Sequence, residues 1–196
     1  RVVAENQGFG IVSSDYKITS SNFAAAIGLS PFQSRQKLWR VITGRENRDP
    51  FNSYMQWGLD NEFRAVASAE AITGIMFEYT GENQQHIEQP GFGTTPDGIN
   101  GKIGLEVKCP QKLTDEPPIH YLPQIQGQCW IAEFSQVVFC QWTPEESRVW
   151  TVIRSDEYIN EMRILLDEFL EYIANDEQPK RKKKPILPKL EITRIK

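Results

Sequence analysis

The stretch "GTTPDGINGKIGLEVKCP", residues 93–110, decides how the chain is read. From Ile103 to Cys109 apolar and charged residues alternate. Successive strand side chains point to opposite faces, so Leu105, Val107 and Cys109 share one face of a strand while Glu106 and Lys108 share the other. Ahead of the strand, Pro96 and Gly98 frame a turn that presents Asp97, nine residues before Glu106, a separation suited to a short hairpin whose two ends meet. Two carboxylates then face one point with an amine beside them. Such a group is either a surface ion-pair cluster, worth little to stability, or a hard oxygen site for a divalent cation with a lysine to orient or deprotonate a water. The second arrangement holds the parts that phosphodiester hydrolysis requires. Spacing alone does not separate the two readings.

Outward from this hairpin, the order of elements indicates an α/β fold. "ITSSNFAAAIG" (18–28) reads as a short helix with a Ser cap and Gly28 as its stop, and "SRQKLWRVITG" (34–44) repeats the scheme. "SYMQWGLDNEFRAVASAEAITG" (53–74) has helical spacing and ends in Gly74. "IMFEYT" (75–80) and "HIEQPGFGTTPDGI" (86–99) read as strands and turns. "YLPQIQGQCWIAEF" (121–134) is helical, with Pro123 tolerated near its start. "QVVFCQW" and "RVWTVI" are two further strands, and "SDEYINEMRILLDEFLEYIAND" (155–176) is an amphipathic helix capped by Ser155 with acids in its first turn. A mixed central sheet flanked by helices follows, as one domain over residues 1–178 with a basic, extended tail at 179–196.

Composition narrows the function classes. Of 196 residues, 39% are hydrophobic and 24% charged, an ordinary globular balance without an apolar run of membrane-spanning length. The chain starts at Arg1 with no long apolar stretch after it, so a trimmed start without a signal peptide, and a cytoplasmic setting, are expected. Cys109, Cys129 and Cys140 form no CxxC pair and are read as reduced core thiols. With only His86 and His120 present, a metal would be held by oxygen, which points to Mg²⁺ or Mn²⁺. The net charge of −4 conceals an asymmetry: residues 180–196 carry +7, leaving −11 on the rest. The run "KRKKK" at 180–184 is either a solvated tail or a phosphate-binding one.

Two more segments bear on the chemistry. In "MQWGLDNE" (55–62) the helix carries Glu62, and Gly58 interrupts good helix formers. A helical Gly costs about 1 kcal/mol relative to Ala, which points to close approach of something to the backbone. In "YLPQIQGQ", Tyr121, Gln124 and Gln128 share one helical face, either solvated or turned toward the strand that bears Lys108.

Taken together, the order of these segments resembles the phage lambda exonuclease type of the PD-(D/E)xK nuclease superfamily, over roughly residues 16–175. "PDG…GLEVKCP" looks like the metal-binding core, "MQWGLDNE" like the upstream acidic helix, "YLPQIQGQCW" like the downstream Tyr/Gln helix and "ITSSNFAAAIG" like the N-terminal helix with its phosphate-contacting Ser. The resemblance implies a restriction-endonuclease-like core and a processive 5′-to-3′ exonuclease on linear duplex DNA that leaves a 3′ single strand. It further implies Mg²⁺, two ions per site, a ring-shaped homotrimer and a partner protein that anneals single strands. By carry-over, Asp97, Glu106 and the Val107 carbonyl bind metal, Lys108 positions or activates water, and Glu62, Gln124 and Tyr121 complete the site. Ser21 and Thr95 hold the terminal phosphate, and Met55 is the apolar wedge that parts the strands. The arginines of the family's phosphate pocket are missing: Asp15 and Lys17 stand in one region and Lys112 in the other, with Lys112 and Arg35 as substitutes. A lysine lacks the bidentate fork of arginine, so a looser grip on the 5′ end is expected. The same core also serves site- or structure-specific endonucleases and a catalytically silent DNA-binding scaffold for recombination. An iron–sulfur nuclease would need four ligands that three scattered cysteines do not supply.

Overall fold

In a computed structural model that describes residues 18–78, 84–85 and 91–196, the sheet is built around the hairpin. Strands β4 (Gly98–Asn100) and β5 (Ile103–Lys108) pair antiparallel, with Gly98 opposite Leu105. The positive φ of Gly101 closes the turn between them. β5 lies parallel to β6 (Gln136–Trp142), which requires a crossover, and helix α4 (Leu122–Ile131) supplies it. β7 (Ser147–Ile153) returns antiparallel to β6. The five-stranded order is β4-β5-β6-β7-β8, where β8 (Ile192–Arg194) pairs antiparallel with β7. A second small sheet joins β1 (Ile18–Thr19), β3 (Phe92–Thr94) and β2 (Gln84–Gln85), in the order β1-β3-β2. This is the mixed sheet flanked by helices that the sequence predicts.

Alternation along the strands divides the core in two. Phe139, Trp150 and Val152 point to the larger cluster with α1 (Phe23–Ala26), α2 (Arg35–Ile42), α4 and α5 (Asp156–Ala174). Leu105, Val107, Val138, Cys140 and Val149 point to the smaller one, covered by Ala65 and Ala69 of α3 (Ser53–Thr73). Small residues on α3 let it lie close on the sheet. The Ser34 and Ser155 hydroxyls accept from the Lys37 and Tyr158 amides and Gly74 ends α3 at φ 71°, as their sequence signals predict, while Asn52, not singled out in the sequence, caps α3.

Three expectations are corrected. Segment 18–28 is not one Ser-capped helix. Ile18 and Thr19 pair in parallel with Phe92 and Gly93, Ser20–Asn22 form a 3-10 turn, and α1 is a single turn whose N-cap makes no side-chain bond. Strand pairing of residues 18–19 draws the backbone out of helical geometry before a helix can start. Within "IMFEYT", Ile75–Phe77 lie outside any strand and Glu78 makes one bridge to Ile99; Tyr79 and Thr80, like Asp15, Lys17 and the segment His86–Pro90, lie outside the described residues. The segment 179–196 is extended, as expected, but it does not trail from the domain. Pro179 is buried, Leu187, Leu190 and Ile192 pack on the larger core, and β8 completes the sheet edge. The apolar residues interleaved with the prolines bring it back.

Candidate active site

Asp97 enters the hairpin through its backbone, donating N–H to the Leu105 carbonyl at 2.9 Å. Its carboxylate accepts from the Val107 amide at 2.7 Å, which fixes the acid against the strand that carries Glu106. Gly98 is required here, because a Cβ would stand 2.7 Å from the Phe77 side chain. Glu106 is only 1% exposed and registers opposite Phe139, so it occupies a place on the larger-core face of the sheet that an apolar residue would ordinarily fill. An ionised carboxylate is tolerable there only if its oxygens are satisfied. Gln124 donates to Oε1 at 2.7 Å, Gln128 donates to Oε2, and the Lys108 ammonium donates to Oε1. The Lys108 ammonium also faces the Tyr121 ring, 5.7 Å from its centroid. The polar stripe on α4 is thus turned toward the strand and not toward solvent.

The charges of this cluster interact strongly. Burial, together with the neighbouring Glu106 charge, pushes Asp97 well above the ordinary carboxylate range, against the pull of Lys108. Burial alone would lower the Lys108 ammonium, yet Glu106 and Asp97 hold it above its usual value. Burial and the Lys108 charge lower His120, and burial raises Tyr121. Two acids crowded into a poorly solvated place favour a cation between them.

Helix α3 closes the other side. A cleft of about 280 Å³ runs between Met55, Gly58, Leu59 and Glu62 on the helix and Asp97, Val107 and Lys108 on the hairpin. Glu62 therefore joins Asp97 and Lys108 at one cleft, and it adds to the negative field on Asp97. Met55, 48% exposed, stands at the same mouth.

The residues assigned to the terminal phosphate are less gathered. Ser20 and Thr94 share a buried hydrogen bond of 2.6 Å, and Ser21 and Thr95 follow them directly on the two segments so joined, both exposed. Ser21 pairs with the Thr19 hydroxyl at 2.8 Å. Lys112 is exposed on the loop after β5. Arg35 is not available as a surface anchor: it is 5% exposed, lies over the Phe169 and Tyr172 rings of α5, and stands 3.8 Å from Glu168. Its position on the inner face of α2 puts it in the core, which its charge alone did not reveal.

Among the described residues no three His, Cys, Asp or Glu side chains form a ready-made metal cage. The donor set that does converge, two carboxylates of hard oxygen with a third acid across the cleft, nonetheless fits a hard divalent cation, and the raised protonation tendency of Asp97 is what such an ion would relieve. Gln128 is the residue whose role the sequence understated. Its i, i+4 spacing from Gln124 was the available signal, since both then reach the same strand acid. Gly127 carries a further constraint: a Cβ would meet the Phe23 ring at 2.6 Å, so only glycine lets α4 approach α1.

A family model described as a YqaJ-like viral recombinase domain matches residues 12–135. Among solved structures, the chain is similar to the alkaline exonuclease LHK-Exo from Laribacter hongkongensis, with 23% identity and a TM-score of 0.72 over 82% of this chain and 89% of that one. The complex of LHK-Exo with dAMP gives 22% and 0.73 over 83% and 91%. A phage-related exonuclease from Haemophilus somnus 129PT gives 15% and 0.64 over 81% and 94%. A search of curated proteins returns no match. At these identities the structural likeness speaks for a nuclease-type fold, and the family model covers the whole of the hairpin, α3 and α4. The chain belongs to the YqaJ-like viral recombinase family.

Proposed function

We propose that the chain is a divalent-metal-dependent deoxyribonuclease that degrades linear double-stranded DNA from a 5′ end, leaving a 3′ single strand for recombination by strand annealing. The observation that carries this reading is Glu106, a buried acid on a core face held by Gln124, Gln128 and Lys108, next to Asp97, which lines a cleft together with Lys108 and Glu62. Membership in a viral recombinase family and likeness to exonuclease folds support it, and the dAMP complex of LHK-Exo supports a mononucleotide product. Asp97, Glu106 and the Val107 carbonyl would hold Mg²⁺, or Mn²⁺, with Glu62 available to a second ion. When bound, such an ion neutralises charge at the scissile phosphate.

The protein's own groups do the rest. Lys108, already an ammonium donor to Glu106, orients the attacking water and offsets charge that develops on the phosphate oxygens. Gln124 and Gln128 hold Glu106 in one orientation, with the Lys108 ammonium on the same carboxylate. The Tyr121 ring walls one side of Lys108. Ser21, Thr95 and Lys112 approach the terminal phosphate, and Met55 abuts the first base pair from the cleft mouth. A ring of three subunits around DNA, processive action and an annealing-protein partner complete the proposal.

The test is digestion of linear duplex, labelled at either end, with Mg²⁺ and with EDTA. Release of the 5′ label first, only with Mg²⁺, is expected, and Asp97→Ala and Lys108→Ala should each lose the activity. Undiminished degradation by either variant would refute the site. Opening of a covalently closed circle would replace the exonuclease reading with an endonuclease one.

A further inference from the structure

The basic run Lys180–Lys184 is held in place at both ends and in its middle. Upstream, Pro179 is buried next to it. In the middle, Lys182 pairs with Glu168 of α5 at 2.5 Å, and the same acid lies 3.8 Å from the buried Arg35 guanidinium. Downstream, Pro185, Leu187 and Leu190 line a groove of about 270 Å³ with Ile119 and Leu122, and β8 then pairs with β7. From Glu177 to Glu191 the backbone contains no helix, turn or bend. The run is therefore a strap laid on the domain.

We propose that the exposed cations Lys180, Arg181, Lys183 and Lys184 form a fixed strip that binds the phosphate backbone of duplex DNA beside the cleft. Three observations carry this. All four side chains are exposed, while Lys182 between them is committed to Glu168. Glu168 is shared between Lys182 and Arg35, so its charge does not neutralise the four exposed cations. The run also ends where Pro185 lines one groove with Ile119 and Leu122, the residues that flank His120 and Tyr121, and Tyr121 faces Lys108. The strip thus leads toward the site and not away from it. Lysines on a disordered tail lose chain freedom on binding, whereas these are ordered beforehand and gain more per contact. The choice of DNA over an anionic lipid surface rests on the nuclease reading above. Among the described residues no helix is long and apolar enough to cross a membrane.

The experiment replaces Lys180, Arg181, Lys183 and Lys184 by Gln together, retaining Lys182 and the whole of β8. Binding of a fluorescent 30-base-pair duplex is followed in EDTA across 50–200 mM salt. Each phosphate contact contributes about 0.9 to the slope of log affinity against log salt, so four contacts make the parent lose about 10²-fold more affinity than the variant over that range. A slope difference below about 1, with the variant melting at the parent temperature, overturns the proposal. So does a parent that binds vesicles rich in phosphatidylserine through these residues while its duplex binding ignores them. If the variant melts lower, single Gln replacements that fold normally must each lower the slope, or the proposal fails. Because the assay involves no cleavage, it separates the two readings: a parent that never digests DNA but shows the slope change loses only the nuclease assignment, and one that digests DNA with no slope change loses only the strip.

Discussion

Gly58 offers the sharpest separation of stability from function. It lies inside α3, where glycine costs about 1 kcal/mol relative to alanine, and a Cβ built on it meets no atom within 4 Å. Nothing in the folded chain requires glycine there. The open space is the cleft itself, shared with Asp97, Val107 and Lys108. Gly58→Ala should therefore raise stability by about 1 kcal/mol, which for a chain of this size is about 2–4 °C in melting temperature. If a DNA strand passes over the Gly58 backbone, the added methyl should also lower the rate of duplex digestion. The control is Gly127→Ala in α4. It gains the same helical preference, but its Cβ would lie 2.6 Å from the Phe23 ring, which is fully buried and packed edge-on against Phe92 at 5.7 Å. Overpacking of that kind costs about 1–3 kcal/mol or more, so Gly127→Ala should melt lower than the parent. Differential scanning fluorimetry in EDTA and Mg²⁺-dependent digestion, run on both variants, check the pair. A Gly58→Ala protein that melts lower than the parent, or one that melts higher and digests DNA at the parent rate, would refute the reasoning that glycine is kept there for a ligand.

Further expectations follow from the same geometry. Asp97→Asn keeps an acceptor for the Val107 amide but removes a half-buried charge crowded against Glu106, so without metal it should melt above the parent while losing activity; an unchanged or lower melting temperature in EDTA would contradict the electrostatic account. Cys109, whose thiol is pushed up to about 11 by burial and by Glu62, should be alkylated about 100-fold more slowly at pH 8 than an ordinary thiol, with the rate rising about tenfold per pH unit until near pH 11, because only the thiolate reacts. Peptide-resolved mass spectrometry of the native protein reads this, and reaction at the free-thiol rate would count against it. Truncation after Pro185 removes Leu187, Leu190 and Ile192 from the core together with β8, and should cost about 2–4 kcal/mol on half-burial of three aliphatic side chains; a melting temperature within 2 °C of the parent would return the segment to the status of a free tail.

What was legible in the sequence was what short-range rules govern. The alternation of Leu105, Glu106, Val107 and Lys108, the stop at Gly74 and the Ser34 and Ser155 ends of helices depend on neighbours within a few residues, and the structure keeps each of them; the turn read at Pro96–Gly98 falls instead at Gly101, because Gly98 already pairs with Leu105 as the start of β4. What was not legible depends on distant partners. Ile18 and Thr19 leave helical geometry because they pair with β3, some seventy residues away. Arg35 is a surface-type residue by charge, yet α2 turns it inward over α5. The basic run is tail-like by composition, and only the register of β8 on β7 shows that it must cross the domain to get there.

Glu106 shows where the two kinds of information meet. Alternation puts it on the opposite face from Leu105 and Val107, but not on a face known to be buried; that follows from Phe139 and Trp150 beside it and α4 above. Once buried, an ionised acid in that layer is a liability, since replacing such a cluster by packed apolar residues is often neutral or stabilising. The chain instead spends two glutamines and a lysine on holding it. A fold seeking stability alone gains little from that arrangement, and this is why the acid, its donors and the open cleft next to Asp97 carry the proposed nuclease reading.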